Sequence, residues 1–87
     1  MSEVRIYTTT YCGYCVRAKQ LLAKKGVPYQ EIDVTGDHDA RAWLVEASGG
    51  RRTVPQIFIG GKPIGGFTEL RDLDRNGLLD QLLALTS

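Results

Sequence analysis

The chain is poor in metal ligands and in cross-links: 87 residues hold two cysteines, one histidine and one methionine. Two cysteines are too few for the disulfide framework of a small secreted domain. Together with His38 they leave a four-ligand zinc site incomplete within one chain, so no metal site is expected in the monomer. No apolar run approaches the roughly 20 residues that cross a bilayer. Charge of one sign is also missing. Eleven basic against ten acidic residues leave a net charge of +1. That balance gives no electrostatic reason to expect nucleic acid or an acidic membrane as a partner. The opening MSEVRIYTTT lacks the basic start and apolar stretch of a secretory signal. These absences lead to the expectation of a cytoplasmic protein whose thiols are kept reduced. There is no internal repeat, linker or low-complexity tract, so residues 1–87 are read as one domain. A domain of this size buries only about 60–65% of its unfolded surface, which makes its stability modest.

What is present is concentrated in TTTYCGYCVRAK, residues 8–19, which holds both Cys12 and Cys15. Three readings of the pair compete. A structural staple would close a very short loop and remove little entropy from the unfolded chain. Zinc lacks ligands. A redox pair fits a CxxC motif that follows a strand and opens a helix.

The flanks have that form. In EVRIYT, Val4, Ile6 and Thr8 alternate with Glu3, Arg5 and Tyr7, which is a strand pattern. After the cysteines, Val16, Ala18, Leu21 and Leu22 recur at helical spacing, and Gly26 ends the helix with Lys24 and Lys25 beside its negative end. VPYQEIDV is a second strand, parallel to the first across a right-handed crossover. Ala40, Trp43, Leu44 and Ala47 mark an amphipathic helix, with Asp37 and Asp39 at its start and Gly49-Gly50 at its stop. Trp43 is expected in the core or half-buried, and His38 exposed in the first turn. TVPQIFIGGKPIGG is a hairpin, with Ile57, Phe58 and Ile59 as one arm, a turn at Gly60-Gly61, and Pro63 placing the KPIG arm at a sheet edge. FTELRDLDRNGLLDQLLALT gives two helices broken at Asn76-Gly77, the last held on the sheet by Leu79, Leu82, Leu83 and Leu85. The order β-α-β-α-β-β-α-α implies an α/β fold with a four-stranded mixed sheet and helices on both faces.

This placement makes the cysteines a reagent. A helix N-terminus offers unsatisfied N–H groups and partial positive charge, which favour thiolate over thiol. A cysteine there drops from about 8.5 into the range of roughly 3.5–7.5. Cys12 is then the attacking sulfur. Cys15, one turn deeper on the same face, resolves a mixed disulfide. Val54-Pro55 lies where a strand runs beside this helix. With a cis bond there, the Val54 backbone would pair with an extended substrate; a trans proline at a strand start is the alternative.

IYTTTYCGYCVRAKQLL, GVPYQEIDV, TVPQIFIGGKPIGGF and ELRDLDRNGLLDQLL together resemble the short dithiol glutaredoxins of bacteria, over nearly the whole chain. The resemblance implies a thioredoxin fold with Pro55 cis. It implies glutathione-dependent reduction of protein disulfides and of glutathione mixed disulfides, at a potential of about −200 to −230 mV. By position, Cys12 would take the glutathionyl group and Cys15 would resolve protein disulfides. Thr53 and Val54, beside Pro55, would hold the cysteinyl part of glutathione, with Tyr14 beside it. Gly65 and Gly66 would allow close approach. Phe67 and Thr68 would offer helix N–H groups to the γ-glutamyl carboxylate. Arg51 or Arg52 would face the glycyl carboxylate. The implied partners are glutathione and disulfide-containing or glutathionylated proteins, with the chain a monomer.

Three positions depart from the family pattern. Thr9 stands where a lysine is usual, which removes a cation near the thiolate. Thr68 and Glu69 stand where acidic residues are usual. Thr68 can cap a helix but cannot pair with the γ-glutamyl ammonium, a role left to Glu69. Gly13 replaces the usual proline and leaves the turn more open. Relatives with glycine or serine at that position include some that hold a 2Fe–2S cluster between two subunits. In such a dimer two Cys12 thiolates and two glutathiones would supply the four sulfurs. IYTTTYCGYC is also similar to mycoredoxins, which use another low-molecular-weight thiol, whereas GGFTEL favours glutathione.

Overall fold

The computed structural model describes residues 3–84. Eight elements follow the expected order: β1 (Val4–Thr8), α1 (Gly13–Lys24), β2 (Gln30–Asp33), α2 (His38–Ala47), β3 (Gln56–Ile59), β4 (Lys62–Gly65), α3 (Phe67–Arg75) and α4 (Leu78–Ala84). The sheet order is β2-β1-β3-β4. β1 and β2 are parallel, and β3 runs antiparallel to both β1 and β4. Hence β1 and β3 are central and β2 and β4 are edges, which satisfies Pro63 at the rim.

Strand pleating splits the core in two. Val4, Ile6, Ile57 and Ile59 face α1, α3 and α4, where they meet Ala18, Leu22, Leu70, Leu79 and Leu83. Phe58, Tyr7 and Val34 meet Leu44 of α2 on the opposite face. Helices therefore cover both faces, and the architecture is the thioredoxin fold.

Two expected faces need correction. Alternation puts Tyr7 with Glu3 and Arg5 on a polar side, yet it is buried, with its ring 5.4 Å from those of both Trp43 and Phe58. Alternation tells which side a residue takes, and α2 decides that this side is covered. Val16, which fits the apolar stripe of α1 by spacing, is 48% exposed. The stripe is instead Cys15, Ala18 and Leu22. Trp43 is 52% exposed, packed on the aromatic pair rather than within the core. Lys25 does more than face a helix end: its ammonium lies 2.7 Å from Asp74 and 3.0 Å from Asp80, tying α1 to α3 and α4. Asp37 caps α2 by accepting the Ala40 N–H at 3.0 Å. The α4 contacts expected of Leu79 and Leu83 are present, whereas Leu85 lies outside the described residues.

Candidate active site

Cys12 is the N-cap of α1, just beyond the end of β1. A turn brings it there, and Tyr11 in that turn has a left-handed backbone, φ +60°, with its side chain fully exposed. Thr35 steadies the turn by accepting the Thr10 N–H at 2.8 Å. The Cys12 sulfur accepts the Cys15 N–H at 3.1 Å, the capping bond of the helix. That bond and the helix end both stabilise negative charge on sulfur in the reduced protein. Cys12 and Cys15 are joined as a disulfide. Their exposures differ as expected from their depth: Cys12 is half-buried, Cys15 is 2% exposed.

The Val54–Pro55 peptide is cis. It turns the loop so that the Val54 carbonyl oxygen lies 3.7 Å from the Cys12 sulfur. The Val54 N–H has no partner among the described residues. Gln56, 1% exposed, anchors this loop from below, its Nε2 donating to the Thr53 carbonyl at 2.9 Å. Sequence reasoning gives Gln56 no role. A buried amide between a proline and an apolar run is the signal to ask for its partner.

A cavity of about 310 Å³ opens beside this loop, lined by Tyr14, Thr53, Val54, Pro55, Gly66, Phe67, Thr68 and Glu69. These are eight of the eleven residues that the resemblance assigns to glutathione, brought together in one place. α3 begins at Phe67 with Gly66 as its N-cap and no side-chain cap from that position. Glu69 accepts the N-cap N–H of Gly66 in a capping box, and the Phe67 and Thr68 N–H groups are left for an outside acceptor. Thr68, weighed as a cap, sits inside the first turn instead.

The two arginines separate. Arg51 is already paired: its Nη1 is 2.7 Å from Glu69 Oε1, which also accepts the Gly66 N–H at 2.7 Å. Glu69 is then committed within the chain, and the ammonium-pairing role considered for it has a competitor. The pair joins the two walls of the cleft, residues 51–55 and 65–69. Arg52 is exposed, with its carbonyl accepting from Arg41 Nη2 at 3.1 Å.

Arg51 and the Gly66 N–H hold the Glu69 carboxyl below the usual glutamate range. A depressed folded value contributes stability that is complete above the unfolded value and is lost as pH falls through the folded one. Melting of the parent is therefore expected to drop between about pH 5 and pH 3, and Glu69→Gln to flatten that slope. An unchanged slope in Glu69→Gln would remove this pair from the acid response.

On the other side of the disulfide lies a second cavity, of about 440 Å³, reached by Thr9, Tyr11, Cys12, Cys15, Lys19, Glu31 and Asp33. Glu31 Oε2 accepts from Thr8 Oγ1 at 2.8 Å and from Lys19 Nζ at 3.0 Å. Those two bonds lower the Glu31 carboxyl. Lys19 is the nearby cation in place of the one missing at Thr9, and Glu31 neutralises it. A larger cavity than either, about 530 Å³, sits between β4, α3 and α4 with no cysteine in its walls. Volume does not mark the chemistry here.

The family model for glutaredoxin matches residues 4–64. Among curated proteins, a glutaredoxin of Pseudomonas aeruginosa is 51% identical over 84 residues, covering 97% of this chain and 99% of that one. Glutaredoxin 3 of Escherichia coli strain K12 is 49% identical over 83 residues, covering 95% and 99%. The solved buckwheat glutaredoxin–glutathione complex superimposes with a TM-score of 0.85 at 41% identity, over 94% of this chain and 76% of that one. A thiol pair held at a helix start by a thioredoxin fold, with likeness of this depth over nearly the full length, makes the chain a member of the glutaredoxin family of oxidoreductases, with Cys12 and Cys15 as its redox pair.

Proposed function

We propose that the protein reduces glutathione mixed disulfides and protein disulfides at the expense of glutathione. The observation that carries this is the cleft beside Cys12, with a free Val54 N–H on one wall and, on the other, a helix start where Glu69 takes the Gly66 N–H and leaves those of Phe67 and Thr68. Glutathione is a tripeptide with two carboxylates, and these walls suit its parts. The Val54 backbone would pair with the cysteinyl unit as a strand edge pairs with a peptide. The Phe67 and Thr68 N–H groups would receive the γ-glutamyl carboxylate. Arg52 is the arginine left for the glycyl carboxylate, since Arg51 is held by Glu69. The buckwheat glutaredoxin, solved as a complex with glutathione, supports the same ligand here.

In the reaction the Cys12 thiolate attacks the glutathionyl sulfur of a mixed disulfide. A Cys12–glutathione disulfide forms, and the substrate leaves as a thiolate that takes a proton from water. A second glutathione thiolate attacks the same glutathionyl sulfur, which frees Cys12 and releases glutathione disulfide. For a protein disulfide, the Cys12 thiolate first attacks one of its sulfurs, giving a Cys12–substrate mixed disulfide and a substrate thiolate that is protonated. Cys15 then loses its proton and attacks the Cys12 sulfur, breaking that bond and releasing the substrate as a dithiol. The Cys12–Cys15 disulfide that remains is reduced by two glutathiones.

The test is steady-state turnover of a glutathione mixed disulfide with glutathione and glutathione reductase, compared with turnover of a mycothiol mixed disulfide with mycothiol and a mycothiol-disulfide reductase. At least about a tenfold preference for glutathione is expected, a gap of about 1.4 kcal/mol. A preference for mycothiol would move the chain to the mycoredoxin reading. The cluster reading rests on Gly13, beside which there is open space out to 4 Å. Cys15 is buried, so one chain offers a single surface thiolate, and a cluster would need two chains and two glutathiones. Purification with glutathione and a visible spectrum decides it: an absorbing dimer would make cluster carriage the primary role.

A further inference from the structure

Tyr14 and Phe67 stand at the outer lip of the cleft, rings stacked with centroids 6.3 Å apart and planes 26° apart. Each ring has an arginine over it. Arg17, one turn beyond Tyr14 on α1, has its guanidinium 5.8 Å from that ring centroid. Arg71, one turn beyond Phe67 on α3, lies 5.8 Å from the Phe67 centroid. The four side chains form a ladder, Arg17–Tyr14–Phe67–Arg71, that bridges the starts of two helices. Neither arginine lines the cleft, so the charged ends of the ladder lie outside the volume assigned to glutathione.

Charge changes sign across the thiol. Arg17 is exposed and has no ion pair among the described residues. Among the described residues Arg71 has one ion pair, with Asp72 at 3.5 Å. On the opposite side of Cys12 the cavity wall carries Glu31 and Asp33 against Lys19 alone. A partner whose disulfide reaches Cys12 lies across this gradient. Arginines stacked on rings are also pre-organised, so they lose less rotamer freedom when they bind a carboxylate.

We infer that the ladder is the docking surface for protein substrates and selects those with acidic residues beside the glutathionylated cysteine. The carboxylates meet Arg17 and Arg71, and the adjoining chain lies on the two rings. This rests on the proposed attack of Cys12 on mixed disulfides. It adds a choice among protein substrates that small disulfides do not probe.

The test uses two glutathionylated peptides of equal length, one with aspartates and one with lysines around the cysteine, and a small mixed disulfide of glutathione with mercaptoethanol. For the parent at low ionic strength, kcat/KM is expected to be about fivefold higher for the acidic peptide, the size of one or two exposed ion pairs. The gap should close near 0.5 M salt, where about a 4–5 Å screening length is reached. Arg17→Glu should abolish or reverse the preference while turnover of the small disulfide stays within about twofold of the parent. Arg75→Glu, which changes net charge equally at the far end of α3, should leave the preference intact. A parent without preference, or a preference that survives Arg17→Glu with Arg71→Glu, overturns the inference. So does equal loss of preference in Arg75→Glu, which would assign it to overall charge. Arg17-dependent pelleting on phosphatidylserine vesicles without peptide discrimination would give the surface to a membrane and also overturn it. Failure of the parent on the small disulfide, by contrast, sinks the proposed function itself.

Discussion

Cys12→Ser loses turnover of glutathione mixed disulfides on the order of 10³-fold or more, the scale of removing a nucleophile. Cys15→Ser is expected to keep that turnover within about threefold, since the monothiol route needs only one sulfur. The asymmetry follows from position. Cys12 caps α1, receives the Cys15 N–H and faces the cleft through Val54. Cys15 is 2% exposed and reaches only what Cys12 has already bound. Reduction of a protein disulfide is therefore expected to fail in Cys15→Ser, stalling as a mixed disulfide on Cys12. Coupled assays on both substrate types, with intact mass to identify the stalled adduct, read all three results. Retained activity in Cys12→Ser, or loss of mixed-disulfide turnover in Cys15→Ser, would reverse the roles.

The second large effect is on stability. Gly65 has φ +118° and is buried at the end of β4. A Cβ there would lie 2.5 Å from Arg51 Nη1, 2.7 Å from Glu69 Oε1 and 2.8 Å from Glu69 Cγ. Gly65→Ala meets a backbone conformation that costs about 1–3 kcal/mol and must also push the Arg51–Glu69 pair apart. A total near 2 kcal/mol is expected, which lowers the melting temperature of a domain this size by roughly 8–16 °C. Gly61→Ala is the comparison. Its φ is +81° but nothing lies within 4 Å of its Cβ, so only the backbone cost applies. Equal melting of the two variants would show that the ion pair yields freely and is not a constraint on the cleft. Gly65→Ala is also expected to raise KM for glutathionyl substrates, because the pair joins the cleft's two walls.

Much of this was legible in the sequence for a physical reason. Helix and strand periods, the Gly60-Gly61 turn and the Asn76-Gly77 break are local signals, and the order of elements follows from them. CxxC at a strand-to-helix junction and Val54-Pro55 before a strand placed the thiols and the loop beside them. What escaped was tertiary. Tyr7 is buried because α2, far along the chain, covers its face. Val16 is exposed because Cys15 takes the inward position. Arg51 and Glu69 are 18 residues apart, so no local pattern pairs them. Arg71 four residues after Phe67 was readable as helix neighbours, whereas the stacking of Tyr14 on Phe67 depends on how α1 meets α3. The thiol chemistry sits on local signals, and the wiring around it on distant ones.

The placing of the edges has a bearing on aggregation. An open sheet edge is a template on which a second chain can add a strand. At one rim of this sheet β4 is four residues long and carries Lys62 and Pro63, a charge and a residue with no N–H to donate. At the other rim β2 exposes Gln30, Glu31 and Asp33. Apolar β3, buried along its whole length, never reaches a rim. Both rims therefore resist fibril-like stacking, so the chain can cycle between thiol and disulfide at high concentration with little tendency to polymerise through its sheet.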